Sequence, residues 1–305
     1  MYGSPLILAE SDVIVGTWNA TASTFTPGGT APNAVRIHGR RSAATGNAIP
    51  LILGQLVGRP SHDILASATT RGAAGSGMEI FGINSVKLSG GSTIQRVSGN
   101  VEVGSNGSWD GPSGTLIVGN IHYRGSVPNG VQVSGTRTQM PSNKSFTNVS
   151  APSGSTNHQD MSLSSTTYNI GPGNHRIDNL SIGGNGTLAI NANNGDVRIY
   201  VTKNLSISGE GRITVSGSNR VEFYMTSEDA VSLSGNGIGR GALYANRSDF
   251  KASGDAYWQG TVIARTIDLS STGRVIADPS FPVAASFASL MGGSGAVSGT
   301  IATVN

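Results

Sequence analysis

Four aspartates and two arginines near the end of this 305-residue chain, Asp249, Asp255, Asp268 and Asp278 with Arg247 and Arg265, form its densest group able to move protons. Cleavage of a polysaccharide needs carboxylates and a base gathered on one exposed face. The spacings of 6, 13 and 10 residues between successive aspartates keep no single place in a repeating coil, so no shared cleft is expected. Solvated turn charges, and edge charges that discourage unwanted strand pairing, are the simpler reading. The five histidines, His38, His62, His122, His158 and His175, show no ligand spacing and read as surface or turn residues. His158-Gln159-Asp160 suggests a loop hydrogen bond and nothing more. No catalytic, cofactor-binding or metal residue is assigned, and the chain is expected not to be an enzyme.

Calcium is the natural cofactor of a secreted coiled protein, and Gly183-Gly184-Asn185-Gly186-Thr187-Leu188 has the opening of a calcium-binding nonapeptide. Thr187 stands where the required Asp would be and the motif does not recur, so no cofactor is expected. Asn191-Ala192-Asn193-Asn194-Gly195-Asp196 reads as a turn whose side chains bond the backbone. Tyr257 and Trp258 could form a sugar platform, but strand alternation turns one of them inward, and packing is the expected role. Eight Asn-x-Ser/Thr sequons, at Asn19, Asn106, Asn143, Asn148, Asn179, Asn185, Asn204 and Asn246, are what a chain rich in Asn, Ser and Thr yields by accident.

The elements that must position these residues announce themselves by repetition. An apolar residue, an intervening polar one, a second apolar residue and a Ser or Gly corner recur as Val86-Lys87-Leu88-Ser89-Gly90, Val131-Gln132-Val133-Ser134-Gly135, Leu180-Ser181-Ile182-Gly183-Gly184, Leu205-Ser206-Ile207-Ser208-Gly209, Val231-Ser232-Leu233-Ser234-Gly235 and Phe250-Lys251-Ala252-Ser253-Gly254. Leu269-Ser270-Ser271 follows with Ser in place of the closing Gly. Alternation puts Val231 and Leu233 inside and Ser232 and Ser234 outside. The glycine then takes the positive φ of a tight corner. The last four complete copies close 25, 26 and 19 residues apart. Repeats of that size, each unable to bury its own inner face, predict an all-β fold built as a β-solenoid, resembling a parallel β-helix. The twelve residues from Ser253 to Ala264 lie on the twelve from Ser234 to Ala245 almost position for position.

Composition agrees. Forty-four glycines and 12% charged residues leave little material for amphipathic helices, while 37% hydrophobic residues in alternation argue against disorder. The absence of cysteine excludes disulfides, thiolate metal sites and a Cys nucleophile. The net charge of +3 is scattered along the chain, so no nucleic-acid partner is expected. No segment has the apolar length of a membrane helix, and Met1-Tyr2-Gly3-Ser4-Pro5 lacks the start of a signal peptide.

Three regions are expected. Residues 1–77 form a small, mostly β N-terminal region, with strands over 12–18, 34–40 and 63–70 and one short helix over 49–58. Residues 78–283 form the solenoid, entered through a Gly-rich junction over 71–77 and interrupted by a long loop or irregular coil over 140–168. Residues 284–305 form a tail, a Gly/Ser lead followed by Val297, Thr300, Ile301 and Val304, able to add as a strand to a neighbour's sheet edge. Loss of residues 292–305 is expected to weaken self-association.

Asn33-Ala34-Val35-Arg36-Ile37-His38-Gly39-Arg40-Arg41, Gly46-Asn47-Ala48-Ile49-Pro50-Leu51 and Leu56-Val57-Gly58-Arg59-Pro60-Ser61-His62-Asp63-Ile64 resemble the conserved block of TadG-like bacterial proteins associated with Tad (Flp) pilus assembly. Val15-Gly16-Thr17-Trp18 and Thr24-Phe25-Thr26-Pro27 are similar to the same family, so the resemblance covers about the first 70 residues. Gly241-Ala242-Leu243-Tyr244-Ala245, Trp258 to Arg265 and Ile276-Ala277-Asp278 resemble β-solenoid domains at the ends of pilin-like and surface-anchored proteins. TadG-like proteins begin with a membrane helix, which this sequence does not show. The resemblance implies an envelope or extracellular structural role, at the cell surface, and brings no catalytic residues. The expected function is a self-associating component of an extracellular appendage, partnered by itself or by other appendage subunits. A monomeric adhesin or module for a surface glycan, and a polysaccharide-active enzyme, are the alternatives.

Overall fold

The computed structural model describes residues 10–19, 24–28, 34–42, 48–51, 56, 58–59, 61–71, 78–112, 115–124, 130–281 and 302–303. The chain divides into two compact units, Met1–Ser76 with Ser294–Asn305, and Gly77–Gly293.

The first unit is an antiparallel sheet in the order Thr24–Pro27, Val13–Asn19, Ala34–Arg41, Ile64–Arg71, Ala302–Thr303. The three longer strands lie where alternation put them. On one face Arg36 stands 4.4 Å over the Phe25 ring and donates from Nε to Thr69 Oγ1 at 2.9 Å, and Arg40 pairs with the buried carboxylate of Asp12. Ile49–Pro50, the start of the expected helix, instead pairs antiparallel with Ser61–His62. Proline at its second position cannot donate a helical N–H and suits a short edge strand. Residues 52–55 and 57, the remainder of that expectation, and the junction at 72–77 lie outside the described residues. The tail strand Ala302–Thr303 sits on the edge of this chain's own Ile64–Arg71 strand, opposite Ser67 and Ala66.

The second unit is the β-solenoid. Its walls are parallel sheets, and the inner columns follow the repeated phrase: Met161, Leu180, Leu205, Val231, Phe250, Ile267 and Val86 stack in one, Leu163, Ile182, Ile207, Leu233, Ala252, Leu269 and Leu88 in the next. All are buried. Gly184, Gly209, Gly235 and Gly254 turn the corner at φ between 50° and 67°, and Ser271 takes the same left-handed conformation at φ 55°. The twelve-residue match is the true register, since Ile238, Gly239 and Arg240 pair with Tyr257, Trp258 and Gln259, and Leu243, Tyr244 and Ala245 with Val262, Ile263 and Ala264. The Val131 copy of the phrase differs. Gln132–Val133 pairs with Leu116–Ile117 in the opposite, nine-stranded wall.

The coils are not stacked in chain order. Ile80–Leu88, which opens the solenoid, lies between Val101–Ser105 and Val262–Leu269, so the first coil rests on the last. From there the chain runs outward to Arg137–Gln139 at one end of the ten-strand path and re-enters at Thr156–Asn157, its other end. Nine strand spacings of about 4.8 Å make roughly 43 Å. Seventeen residues reach at most about 60 Å, so the connection must run extended. Residues 143–152 carry no turn or strand, the Ser155 N–H bonds back to the Pro152 carbonyl at 3.3 Å, and Thr156 to Ile170, read above as far as residue 168 as part of the interruption, build a coil. Phe146, Val149 and Ala151 of this strap cover a second apolar column on the outside of the wall, formed by Tyr200, Tyr224, Tyr244, Ile263 and Phe81. Amides hold it: Asn106 bonds both the N–H and the carbonyl of Lys144 at 2.7 Å, and Tyr244 donates its hydroxyl to the Thr147 carbonyl at 2.7 Å. Gly104 is required beneath it, because a Cβ there would meet the Phe81 ring at 2.5 Å.

Candidate assembly edges

Closing the first coil on the last moves the open edges of the stack into the middle of the sequence. Ser108–Asp110, Gln132–Val133 and Arg137–Gln139 end the walls on one side, and Thr156–Asn157, Met161–Leu163 and Thr167–Ile170 on the other. Every pairing near these ends is parallel, so the donors and acceptors facing outward at one end run in the same direction as those at the other. Asp110 and Arg137 are the only charged residues in these six strands. Natural edges are blunted by charge, proline or a very short strand, and here only shortness, one aspartate and one arginine serve. Met161, Leu163 and Ile170 nevertheless close the core at the second end, with 7%, 6% and 2% exposure.

A chain of hydrogen bonds ties that end coil to its neighbour. His158 Nε2 lies 3.1 Å from His175 Nδ1, His158 Nδ1 lies 3.2 Å from the Tyr168 hydroxyl, and His175 Nε2 lies 2.9 Å from the Gly171 carbonyl. All three bonds are satisfied when both rings are neutral: Tyr168 donates to His158, His158 to His175, and His175 to Gly171. Burial, and then the neighbouring His175, push His158 below the usual imidazole range. Arg176, on the strand that carries His175, is paired with Asp178. Sequence spacing treated these histidines as scattered, yet they meet because adjacent coils set Thr156 opposite His175, which leaves His158 diagonal to it.

The C-terminal aspartates do not converge. Asp249 binds Arg265 at 2.8 Å, and that hydrogen bond holds its carboxyl below the usual range. Arg247 pairs with Glu228, Asp255 accepts from Thr272, and Asp278 accepts from Gln259 and from the Ser280 N–H. Asp268 stands between Lys251 and Lys87 in an outward column that continues as Ser232, Ser206, Ser181 and Ser162. Among the described residues no group of three or more His, Asp or Glu side chains could hold a metal. Gly183–Leu188 forms a corner in which Gly186 N–H bonds the Gly183 carbonyl. Asn191 Oδ1 accepts from the Asn193 N–H, and Asp196 pairs with Arg198 and Arg220.

Within the solenoid, a buried carboxylate was missed. Glu222 is fully buried in the wall, 3.1 Å from Arg198 Nε and accepting from the Tyr224 hydroxyl at 3.0 Å. Burial, and then Glu222, drive the Tyr224 hydroxyl far above its usual range. Alternation marks both side chains as outward-facing; only the strap over Tyr224 makes that side of the wall an interior.

Residues 3–70 match the model of a family described as Tad-like Flp pilus-assembly, and residues 153–282 match a domain of unknown function, DUF7305. No curated protein matches the chain. Among solved structures, an ice-binding protein from the Antarctic ascomycete Antarctomyces psychrotrophicus is 11% identical, with 70% of this chain and 98% of that one covered and a TM-score of 0.39. An ice binding protein from an Antarctic Biological Consortium is 15% identical, with coverage of 66% and 85% and a TM-score of 0.29. At these scores the likeness carries no functional argument. Among the described residues no helix is long and apolar enough to cross a membrane.

Proposed function

We propose that this protein is a non-enzymatic structural component of a bacterial, pilus-associated surface appendage, and that its solenoid ends join copies head to tail. The match of residues 3–70 to the Tad-like pilus-assembly family carries the pilus association and the envelope location. The assembly mode is supported by end strands that are parallel, complementary in direction and nearly uncharged. A contact between unlike ends does not close on itself, and repetition of it gives a filament.

Electron microscopy of the purified chain tests the reading, with fibres or linear oligomers as the expected result. Ser162→Lys with Asn169→Lys places charge on the exposed end strands and should leave single particles with unchanged β-sheet circular dichroism. Single particles from the parent chain at every concentration, or fibres of the double variant equal to the parent's, would overturn the end-to-end contact.

A further inference from the structure

The two walls of the solenoid differ in charge. The strands of the longer wall mix both signs, whereas the nine strands of the opposite wall contain four arginines, Arg96, Arg212, Arg240 and Arg274, and no Asp, Glu or Lys. Arg96 is paired with Glu79 at the wall's margin, which leaves Arg212, Arg240 and Arg274 on the outer surface. Arg212, Ile238, Tyr257, Arg274 and Thr93 form one outward column across five successive strands, with Arg240, Gln259, Ile276 and Gln95 beside it.

We infer that this outer wall binds an extended acidic glycan, its carboxylates held by Arg274, Arg240 and Arg212 and its hydroxyls by Gln259, Gln95 and Thr93. Arg274 is held in advance, its guanidinium 5.3 Å from the Tyr257 ring centroid, so little side-chain freedom is lost when a carboxylate binds. Nε of Arg274 and of Arg240 is buried without a hydrogen-bond partner among the described residues. Besides Glu79, three carboxylates face the margin of this wall. Asp278 lies beside Arg240 and takes the Gln259 amide at 2.6 Å, Asp255 takes the Thr272 hydroxyl, and Glu210 takes the Asn236 amide. None belongs to a strand of the wall, and the outward columns themselves remain cationic and neutral.

Arg212 and Arg274 are three strand spacings apart, about 14 Å, so a ligand reaching both must be a polymer with repeated negative charge. Acidic glycan fits better than nucleic acid. Single-stranded nucleic acid needs open aromatic faces on which bases stack. Trp258 is fully buried in the core, and the Tyr257 ring, half-buried, already carries Arg274. Amide and hydroxyl side chains interleaved with arginines suit a sugar's hydroxyls and carboxylates instead. This inference is independent of the end-to-end contact, which involves other strands.

Calorimetric titration of the full chain with a hexamer of galacturonate tests it. The expected result is binding that weakens with added salt, at least tenfold weaker in Arg274→Gln and in Arg240→Gln and unchanged in Ser232→Asp on the other wall, with matching circular dichroism for all four proteins. A neutral glucose hexamer should not bind, and a single-stranded oligonucleotide should not compete. Absence of hexagalacturonate binding, equal affinity in both arginine variants, equal binding of the neutral hexamer, or tighter binding of the oligonucleotide would each overturn the assignment.

Discussion

Lys87 stands directly opposite Asp268 in the parallel ladder, although 181 residues of chain separate them. The pair marks the seam where the first coil of the solenoid meets the last, and Lys251 and Asp110 extend the alternation of charge on either side. Opposite charges across strands support pairing and like charges oppose it. Asp268→Lys, which sets three lysines side by side, should therefore lower stability by up to about 1 kcal/mol. Asp268→Ser should cost less. Thermal melts of the two variants at low and high salt check this, because the difference should shrink as salt screens the repulsion.

Leu233 is 2% exposed in an inner column, and its neighbour Ser232 faces outward. Leu233→Asp buries an unpaired charge and should cost at least about 3 kcal/mol. Ser232→Asp should be nearly silent. Denaturant unfolding of both variants reads the difference, and equal shifts would mean that the face assignment is wrong.

Ser271 occupies, at φ 55°, the left-handed corner that glycine holds in five other coils, Gly90 of the adjoining coil among them. A side chain in that conformation costs roughly 1 kcal/mol or more. Ser271→Gly is accordingly a stabilising substitution of about 1 kcal/mol, visible as a higher melting temperature. An unchanged or lower value would show that the serine side chain compensates for its backbone.

The folded state holds His158 below the unfolded imidazole value, so the native chain binds fewer protons than the unfolded one. Its contribution to stability is fully present above about pH 6.5, the unfolded value, and is lost as pH falls from there through the lower folded-state value. Amide exchange over residues 156–170 should therefore quicken between pH 7.5 and 5 relative to the coil at 205–216. His158→Gln, which hydrogen-bonds without titrating, should flatten that difference.

Much of the solenoid was legible because its physics is local. A period of two with a glycine corner assigns Leu205, Ile207, Val231 and Leu233 to the interior whatever coil lies above them, and the match of residues 253–264 to 234–245 already contained the strand register. Stacking order was not legible. Nothing in the phrase around Val86 says that its neighbour is Ile267, because parallel coils of like width accept one another equally well and the choice falls to chain connection. The same holds for the strap: residues 140–155 have no periodicity to read, since their hydrogen bonds go to the side chains of Asn106, Tyr244 and Asn246.

The candidate sites divide along the same line. From sequence alone the aspartates at 249, 255, 268 and 278 could be judged dispersed, because their spacing fits no coil, and Tyr257 and Trp258 could be sent to opposite faces. The pairing of His158 with His175, the burial of Glu222, the sparsely charged end strands within 132–139 and 156–170 and the run of arginines across the second wall all depend on which coils are neighbours. That is a tertiary property, since inter-coil contact is set by where the chain re-enters the stack and not by any preference carried within a coil.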